Sequence, residues 1–509
     1  MNDEGSNKGI KYNVIILGVM LFAGMISFLD LSPGKPEITI TAAIAVLMAL
    51  WWVTEALPIG LTSLLPIILF PAFGVLDGKD ISEAYINYVI FLFIGGFFMA
   101  LAIQKWGLHK RIALKILSWL GGSPFRILLG FMLASAFLSM WMSNTATTMM
   151  MLPIVFSVTS ALEETHGRQK LGKLGTALLL GVAYSCSVGG VATLVGTPTN
   201  LSFVRIFEII YPTATEISFG QWLVFALPLS FIMLSIVLVV LFFLYPAKKD
   251  LEVLDKGFFK KSYSELGPIT VNEIRVLWLF VTLVFLWVFR KPIIIGDFVL
   301  PGWSEFFASP SFINDGTIAI FVAFLLFIVP SSEKSNNEGL ITWPIITKIP
   351  WGIVLLIGGG FALAKGFIDS GLAGFIGGQL VGVGVLSEIE LIFSVTGLMT
   401  FLTELTSNLA TAEMMLPIAA GIANEIQTNP LLLMLPMTLA ASMAFMFPVA
   451  TAPNAIVFGS GKLAIKDMVA AGLIINFLAI ICIVLITYFW GTEMFNIESG
   501  VIPEWAKGL

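Results

Sequence analysis

Residues Ser143–Ile154 read SNTATTMMMLPI, and residues Ser407–Ile418 read SNLATAEMMLPI. Nine of the twelve positions are identical across a separation of 264 residues. Chance likeness between apolar segments gives scattered Leu and Ala matches, not a shared Ser-Asn followed by a shared Met-Met-Leu-Pro-Ile. At the same offset Gly95, Gly96, Phe97 and Ala100 fall on Gly359, Gly360, Phe361 and Ala364, and Gly107-Leu108 falls on Gly371-Leu372. A second pair follows at an offset of 254: Gly196-Thr197-Pro198-Thr199-Asn200 and Ala450-Thr451-Ala452-Pro453-Asn454. The chain is two copies of one unit.

Around these segments the chain is strongly apolar. Of its 509 residues 58% are hydrophobic and 12% charged, against about 25% charged in ordinary soluble domains. A transmembrane helix takes about 20 apolar residues, so the inventory suffices for roughly eleven to thirteen passages. A soluble globular fold is excluded. Lys8 and Lys11 precede an apolar run from Val14 to Leu29. The run is long for a signal peptide and lacks a small-x-small cleavage site, so it is expected to be the first membrane helix, with a cytoplasmic N-terminus. With no long targeting segment before it, the expected location is the inner (cytoplasmic) membrane of a bacterium, as a multi-pass protein.

Other classes fall away on the same inventory. A net charge of -5 with few charges excludes a nucleic-acid partner. Cys186 and Cys482 are far apart, and His109 and His166 sit in charged, loop-like sequence, so no transition-metal or redox site is expected. No HExxH pair, nucleophile-with-base arrangement or Walker motif occurs. The chain reads as neither an enzyme nor an ATP-driven pump, and it calls for no cofactor.

Charge sets the orientation of the copies. Lys105, Lys110, Arg111, Lys115 and Arg126 precede the first Ser-Asn segment, and Arg168, Lys170 and Lys173 follow it. Between Gly366 and Gly461 there is no Lys or Arg; Asp369, Glu388, Glu390 and Glu425 flank the second segment instead. Positive flanks stay inside, so the copies are expected to be inverted, as in many secondary transporters. Both flanks of 127–165 are basic, so that segment should enter and return on one face, with Ser143-Asn144-Thr145 near its tip. An arm of about 17 residues rises roughly 25 Å. The segment near 391–424 should be the counterpart from the other side. Broken backbone at such depth is tolerated where it is buried in protein or lines a wet cavity.

The expected architecture is therefore all-α and polytopic, an inverted repeat with two re-entrant helical hairpins and about eleven transmembrane helices. Residues 1–104 would hold N-terminal scaffold helices and the entry to the first repeat, and 105–246 its transport elements. A cytoplasmic linker, 247–272, would lead to scaffold helices at 273–350. Transport elements of the second repeat would span 351–490, and a tail 491–509.

Ser, Asn and Thr are favoured helix N-caps, and each triplet precedes a helical run. A helix start offers free N–H groups and the positive dipole end, which suit a carboxylate. The helix ending before the triplet offers free carbonyls, which with Ser and Asn oxygens make a neutral cage for Na⁺. Two facing tips suit an anion with two carboxylates. Ser, Asn and Thr also glue membrane helices together; their repetition at both tips favours the binding role. Each Pro-Asn segment should mark an unwound stretch beside a tip.

On these residues, together with Trp51-Trp52-Val53-Thr54-Glu55-Ala56 and Pro58, the chain resembles the divalent anion/sodium symporter family of dicarboxylate and citrate carriers over nearly its whole length. The resemblance implies a homodimer in the bilayer, each protomer having a scaffold domain and a transport domain that moves like an elevator. It also implies one Na⁺ site at Ser139, Ser143, Asn144 and Gly196, and a second at Thr403, Ser407, Asn408 and Ala450. The dicarboxylate would meet Ser143, Asn144, Thr145, Ser407 and Asn408, with Thr197 and Thr451 nearby. Ser139 and Thr403 each lie one turn before their Ser, on the same face.

Two departures stand out. Leu409 replaces the Thr of the family's second triplet, and Thr199 and Ala452 break its Pro-Pro-Asn differently in each half. Glu55, Glu404 and Glu413 lie within or near the membrane, where ionisable groups are functional suspects. Structural hydrogen bonding is the expectation for Glu55 and Glu404; Glu413 is expected to face a wet cavity or be satisfied by neighbouring helices, with a proton or countercharge site as the alternative. Met149–Met151 and Met414-Met415 read as adaptable packing. The expected cargo is a C4 dicarboxylate such as succinate, malate or fumarate, coupled to Na⁺. A sodium-independent exchanger, with Lys365 or Lys462 supplying the charge, and a sulfate carrier are the alternatives.

Overall fold

Backbone in lipid must be satisfied within its own segment, and a helix does this. The structure, a computed structural model, describes residues 11–120, 122–248, 257–295, 298–332, 338–379 and 386–507. Lys8, and Lys249 and Lys256 of the linker, lie outside them. Among the described residues eight helices are long and apolar enough to cross a membrane, and five shorter apolar helices accompany them. Phe243, Phe324 and Phe489 lie on outward faces, exposed as a membrane protein exposes them. The fold is an all-helical, multi-span membrane fold. It departs from all-α at one antiparallel ribbon, where Ile293–Ile295 pairs with Phe298–Leu300; the run of β-branched Ile favours a strand.

The repeat is visible as the same order of elements in both halves. The first runs Tyr88–Lys105, Leu108–Leu120, Pro124–Ser139, Asn144–His166, Leu174–Val191, Pro198–Ile210 and Phe219–Leu244. The second runs Trp351–Asp369, Leu372–Gln379, Glu388–Thr403, Asn408–Glu425, Leu431–Ala441, Ala452–Gly459 and Ile465–Leu485. The opening helix of each ends at a matched glycine, Gly107 (φ 72°) and Gly371 (φ 79°), which reverses the chain at little steric cost. Ser123 and Ser387 cap the helices that follow, through the backbone N–H groups of Arg126 and Glu390.

The halves interlock. Pro198–Ile210 packs on Asn408–Glu425, and Ala452–Gly459 packs on Asn144–His166, so each half contributes a wall to the other's helix pair. The glycine-bearing helices make backbone-to-backbone contacts. A Cβ at Gly95 would lie 2.6 Å from the Ala319 carbonyl carbon, and one at Gly359 would lie 2.5 Å from the Ser63 oxygen. Tyr88–Lys105 thus lies against Asp315–Ile328 of the other half, while Trp351–Asp369 lies against Ile59–Thr62, Leu65–Ala72 and Gly78–Tyr85.

His109 corrects one expectation. It lies in the helix Leu108–Leu120, 4% exposed, with Nδ1 3.2 Å from the Ile103 carbonyl oxygen. The surrounding Lys and Arg look like loop sequence, but the helix is amphipathic and His109 takes its buried face.

Candidate functional site: two broken-helix tips

At the first tip the helix Pro124–Ser139 stops, four residues turn, and Asn144–His166 begins. Ser143 is extended and caps the new helix, its Oγ accepting from the Ala146 N–H at 3.2 Å. The Ser139 hydroxyl donates to Asn144 Oδ1 at 2.6 Å, joining the end of one helix to the start of the next. The Asn144 amide lies on Gly190, where a Cβ would come within 2.5 Å of Oδ1. A Cβ at Gly196 would in turn lie 2.4 Å from the Gly190 oxygen. Thr193 donates to the Met140 carbonyl and accepts from the Gly196 N–H at 3.0 Å. Ser139, Ser143, Asn144 and Gly196 are therefore brought together, and neutral oxygens converge with them.

The second tip repeats the construction with one difference. Thr403 Oγ1 lies 2.7 Å from Asn408 Oδ1 and 2.9 Å from the Ala441 carbonyl oxygen. Ser407 occupies the capping place with φ -66° and ψ 128° but makes no side-chain cap bond. Ala450 and Thr451 are buried and tied to the unwound stretch: Ala450 N–H donates to the Phe447 oxygen at 3.2 Å, and Thr451 Oγ1 accepts from the Asn454 N–H at 3.3 Å.

Each unwound stretch is braced by its asparagine. Asn200 Nδ2 donates to the Val191 and Thr193 carbonyls at 3.1 and 2.8 Å. Asn454 Nδ2 donates to the Ala444 and Phe447 carbonyls at 3.2 and 3.1 Å. Carbonyls freed by a broken helix need such partners. Thr197 pairs with Thr199 at 3.2 Å, and Thr199 bridges to Ser442 Oγ at 2.7 Å, so hydroxyls link the two halves where their breaks meet.

Thr145 is half-buried, whereas Leu409 in the matched place is 6% exposed. The missing hydroxyl is replaced by a packed side chain. Glu404 takes the structural role expected of it. At 1% exposure its carboxylate accepts from the N–H groups of Phe445, Met446 and Phe447 at 2.6, 2.9 and 3.1 Å, and from Asn476 Nδ2 at 2.7 Å. Glu55 ends its helix in the left-handed region at φ 47°. Glu413 is fully buried and accepts from Ser202 Oγ at 2.8 Å. Lys365 pairs with Asp369 at 2.9 Å, and Lys462 sits 4.7 Å from the Phe156 ring centre, so both contacts are made away from the tip residues. Gly190, Thr193, Ser442 and Asn476 were not candidates from the sequence. Gly190 matches a second small residue, Ala444, at the 254 offset, a signal that could have marked it.

Two tips built alike inside an interlocked helical repeat define a membrane carrier, and comparison with known proteins gives its family. The family model described as the sodium:sulfate symporter transmembrane region matches residues 10–497. The chain belongs to this family, the divalent anion/sodium symporters, which are secondary transporters and not enzymes. It is 41% identical over 499 residues, 96% of this chain and 94% of the relative, to a sodium-dependent dicarboxylate transporter, SdcS, of Staphylococcus saprophyticus. To the SdcS of Staphylococcus aureus USA300 it is 39% identical over 485 residues, 93% of this chain and 90% of the relative. Its fold is similar to the YdaH transporter of Alcanivorax borkumensis, with a TM-score of 0.57 at 14% identity over 88% of this chain and 98% of that one. The MtrF protein of Neisseria gonorrhoeae, described among antimetabolite efflux pumps, gives 0.54 at 13% identity over 93% and 97%.

Proposed function

We propose that this protein carries C4 dicarboxylates such as succinate, malate or fumarate across the cytoplasmic membrane in symport with Na⁺. One observation carries the proposal: the pairing of Ser139 with Asn144 recurs as Thr403 with Asn408. In each place a side-chain oxygen is held at the junction of a helix end and a helix start, one junction per expected cation. The names of the SdcS relatives support both cargo and ion.

The mechanism follows from the tips. Na⁺ would settle among Ser139, Ser143, Asn144 and Gly196, and a second ion among Thr403, Ser407, Asn408 and Ala450. Neutral oxygens replace its water at little cost, because they carry no charge of their own to be desolvated. The ions and the two helix starts then offer positive potential to the carboxylates, one held by Ser143, Asn144 and Thr145 and the other by Ser407 and Asn408, with Thr197 and Thr451 at the margin. Without the ions the helix starts alone would hold a dianion weakly, which couples the two.

We take the two broken-helix pairs as re-entrant hairpins of inverted repeats. The crossings are then 12–28, 36–54, 59–72, 88–105, 174–210, 219–244, 271–288, 315–328, 351–369, 431–459 and 465–485, about eleven in all, with a cytoplasmic N-terminus. Hairpins and broken helices would form a domain that moves like an elevator against the scaffold of a homodimer. Contacts of Trp351–Asp369 with the early helices favour assigning it to the scaffold, so we draw that boundary at Gly371 rather than at 351.

Labelled succinate uptake into proteoliposomes tests the proposal. Uptake into empty vesicles that requires an inward Na⁺ gradient is expected. Uptake only into vesicles preloaded with succinate, indifferent to Na⁺, would make the protein an exchanger. The family description favours one competing cargo, sulfate; suppression of succinate uptake by equimolar sulfate would mark sulfate as the preferred anion.

A further inference from the structure

Glu413 stands one turn beyond the second tip, on the helix Asn408–Glu425. Its counterpart at the 264 offset, Met149, is apolar and exposed, so the helix pair does not need an acid at this place. The carboxyl is seated against a glycine of a different helix. A Cβ at Gly360 would lie 2.2 Å from Glu413 Cδ and 2.5 Å from Oε2. The matched glycine, Gly96, meets apolar side chains instead, Val195 at 3.4 Å and the Trp287 ring at 3.8 Å from where its Cβ would be. A slot for a carboxyl is therefore present in one half and absent from the other.

Among the described residues, the slot holds the acid without a counter-charge. Oε1 accepts from Ser202, itself fully buried, and Oε2 is buried without a hydrogen-bond partner among the described residues. Tyr85 also faces the carboxyl, its hydroxyl committed to the Ser63 carbonyl. Charged groups on the helices packed around it are engaged elsewhere: Arg205 with Glu208, Lys365 with Asp369, Glu388 with Ser499 and Glu390 with Ser387. Glu37 lies in the first turn of its own helix, and Glu425 is exposed at the far end of the helix that bears Glu413. Glu404 is satisfied by four donors. A carboxylate with one bare oxygen in an apolar slot is far costlier than the neutral acid.

We propose that Glu413 is a proton-binding site, and that its proton crosses the membrane with the moving hairpin as a third coupled cation. The inference rests on the carrier reading above. Ser202 and Glu413 belong to the interlocked part that would move, and Gly360 belongs to the helix that would stay. Docked as here, the carboxyl is sealed and holds its proton. Sliding past Gly360 opens the slot, and the O–H gives its proton to water as the carboxylate forms. Reloading occurs when the hairpin slides past Gly360 in the opposite sense and the slot opens to the other side, where the carboxylate takes one proton from water, so no further reactant is needed.

The test uses the full chain in proteoliposomes, with a pH-sensitive dye trapped inside and the membrane potential clamped by K⁺ and valinomycin. Labelled fumarate is the probe, because it stays fully ionised near neutral pH and brings no proton of its own. An inward Na⁺ gradient is expected to drive label uptake together with internal acidification. In Glu413→Gln, uptake should persist and acidification should be lost. Uptake by the unmodified protein without acidification would overturn the proposal, with no variant required. Acidification surviving in Glu413→Gln would overturn it equally. Absence of fumarate uptake under any gradient would overturn the dicarboxylate reading and this inference with it, and is thereby told apart.

Discussion

The Ser139 hydroxyl donates to Asn144 Oδ1 at 2.6 Å, tying the last residue of one helix to the first residue of the next. The bond fixes an oxygen where an ion would sit, while Ser139 itself is fully buried. In Ser139→Ala a neutral hydrogen bond of about 1 kcal/mol is lost, along with one ion-facing oxygen. The Na⁺ concentration for half-maximal uptake should rise about tenfold, since 1.4 kcal/mol is a factor of ten. A sodium titration of labelled uptake checks it; an unchanged midpoint would remove Ser139 from the cage.

Gly190 is the close approach on which the same cage depends. A methyl group there would press on Asn144 Oδ1 from 2.5 Å, and such overpacking costs about 1–3 kcal/mol. Gly190→Ala should weaken sodium dependence about ten- to a hundredfold. Gly175→Ala on the same helix meets nothing within 4 Å and should leave uptake unchanged. Equal effects from both would point to helix stability rather than to the cage.

Glu404 holds the unwound stretch after Leu431–Ala441. In Glu404→Gln an amide N–H₂ would face backbone donors, and charge-assisted bonds worth about 1.5–3 kcal/mol each would be weakened. Thermal unfolding in detergent should shift clearly downwards. A variant as stable as the parent would show that Asn476 and Asn454 suffice.

Leu409 fills the place where Thr145 stands in the first tip. Leu409→Thr should restore a hydroxyl beside a carboxylate and lower the KM for succinate severalfold, on the order of 1 kcal/mol. KM measured at saturating Na⁺ reads this directly, and a raised KM would mean that the Leu packing matters more than the hydroxyl.

His109 lies on an amphipathic helix outside the spanning segments. Burial holds its imidazole below the ordinary value of 6.5, only partly offset by the Ile103 carbonyl. The folded form thus binds fewer protons than the unfolded one, and stability falls as pH drops below the ordinary value. Unfolding temperatures from about pH 7.5 to about pH 5 should decline less steeply in His109→Gln.

Much of this was legible in the chain. The Ser-Asn pairs announce two helix starts because Ser and Asn are capping residues, and their duplication announces the repeat. Ser139 and Thr403 came from the family resemblance, and helical spacing, one turn before each Ser, agrees with it. Distance in sequence hid the rest. Nothing near Glu404 says that its partners are the backbone of 445–447 and Asn476, and nothing near Glu413 points to Gly360. Such contacts arise only when helices remote in sequence are packed, and a backbone N–H that donates to a side chain leaves no residue-type signature at its own position. The strand pair at 293–300 was missed because a short β-branched run beside a membrane helix reads as its continuation.

Two copies of a unit could work as two separate ion traps, each blind to the other. The 2.7 Å bridge from Thr199 to Ser442 gives them one common partition. An ion that settles on one side stills that partition, and the second ion then has less disorder left to overcome. Filling should be abrupt with rising sodium, a threshold rather than a slope, so that a half-loaded carrier is a rare species and little energy leaks through it.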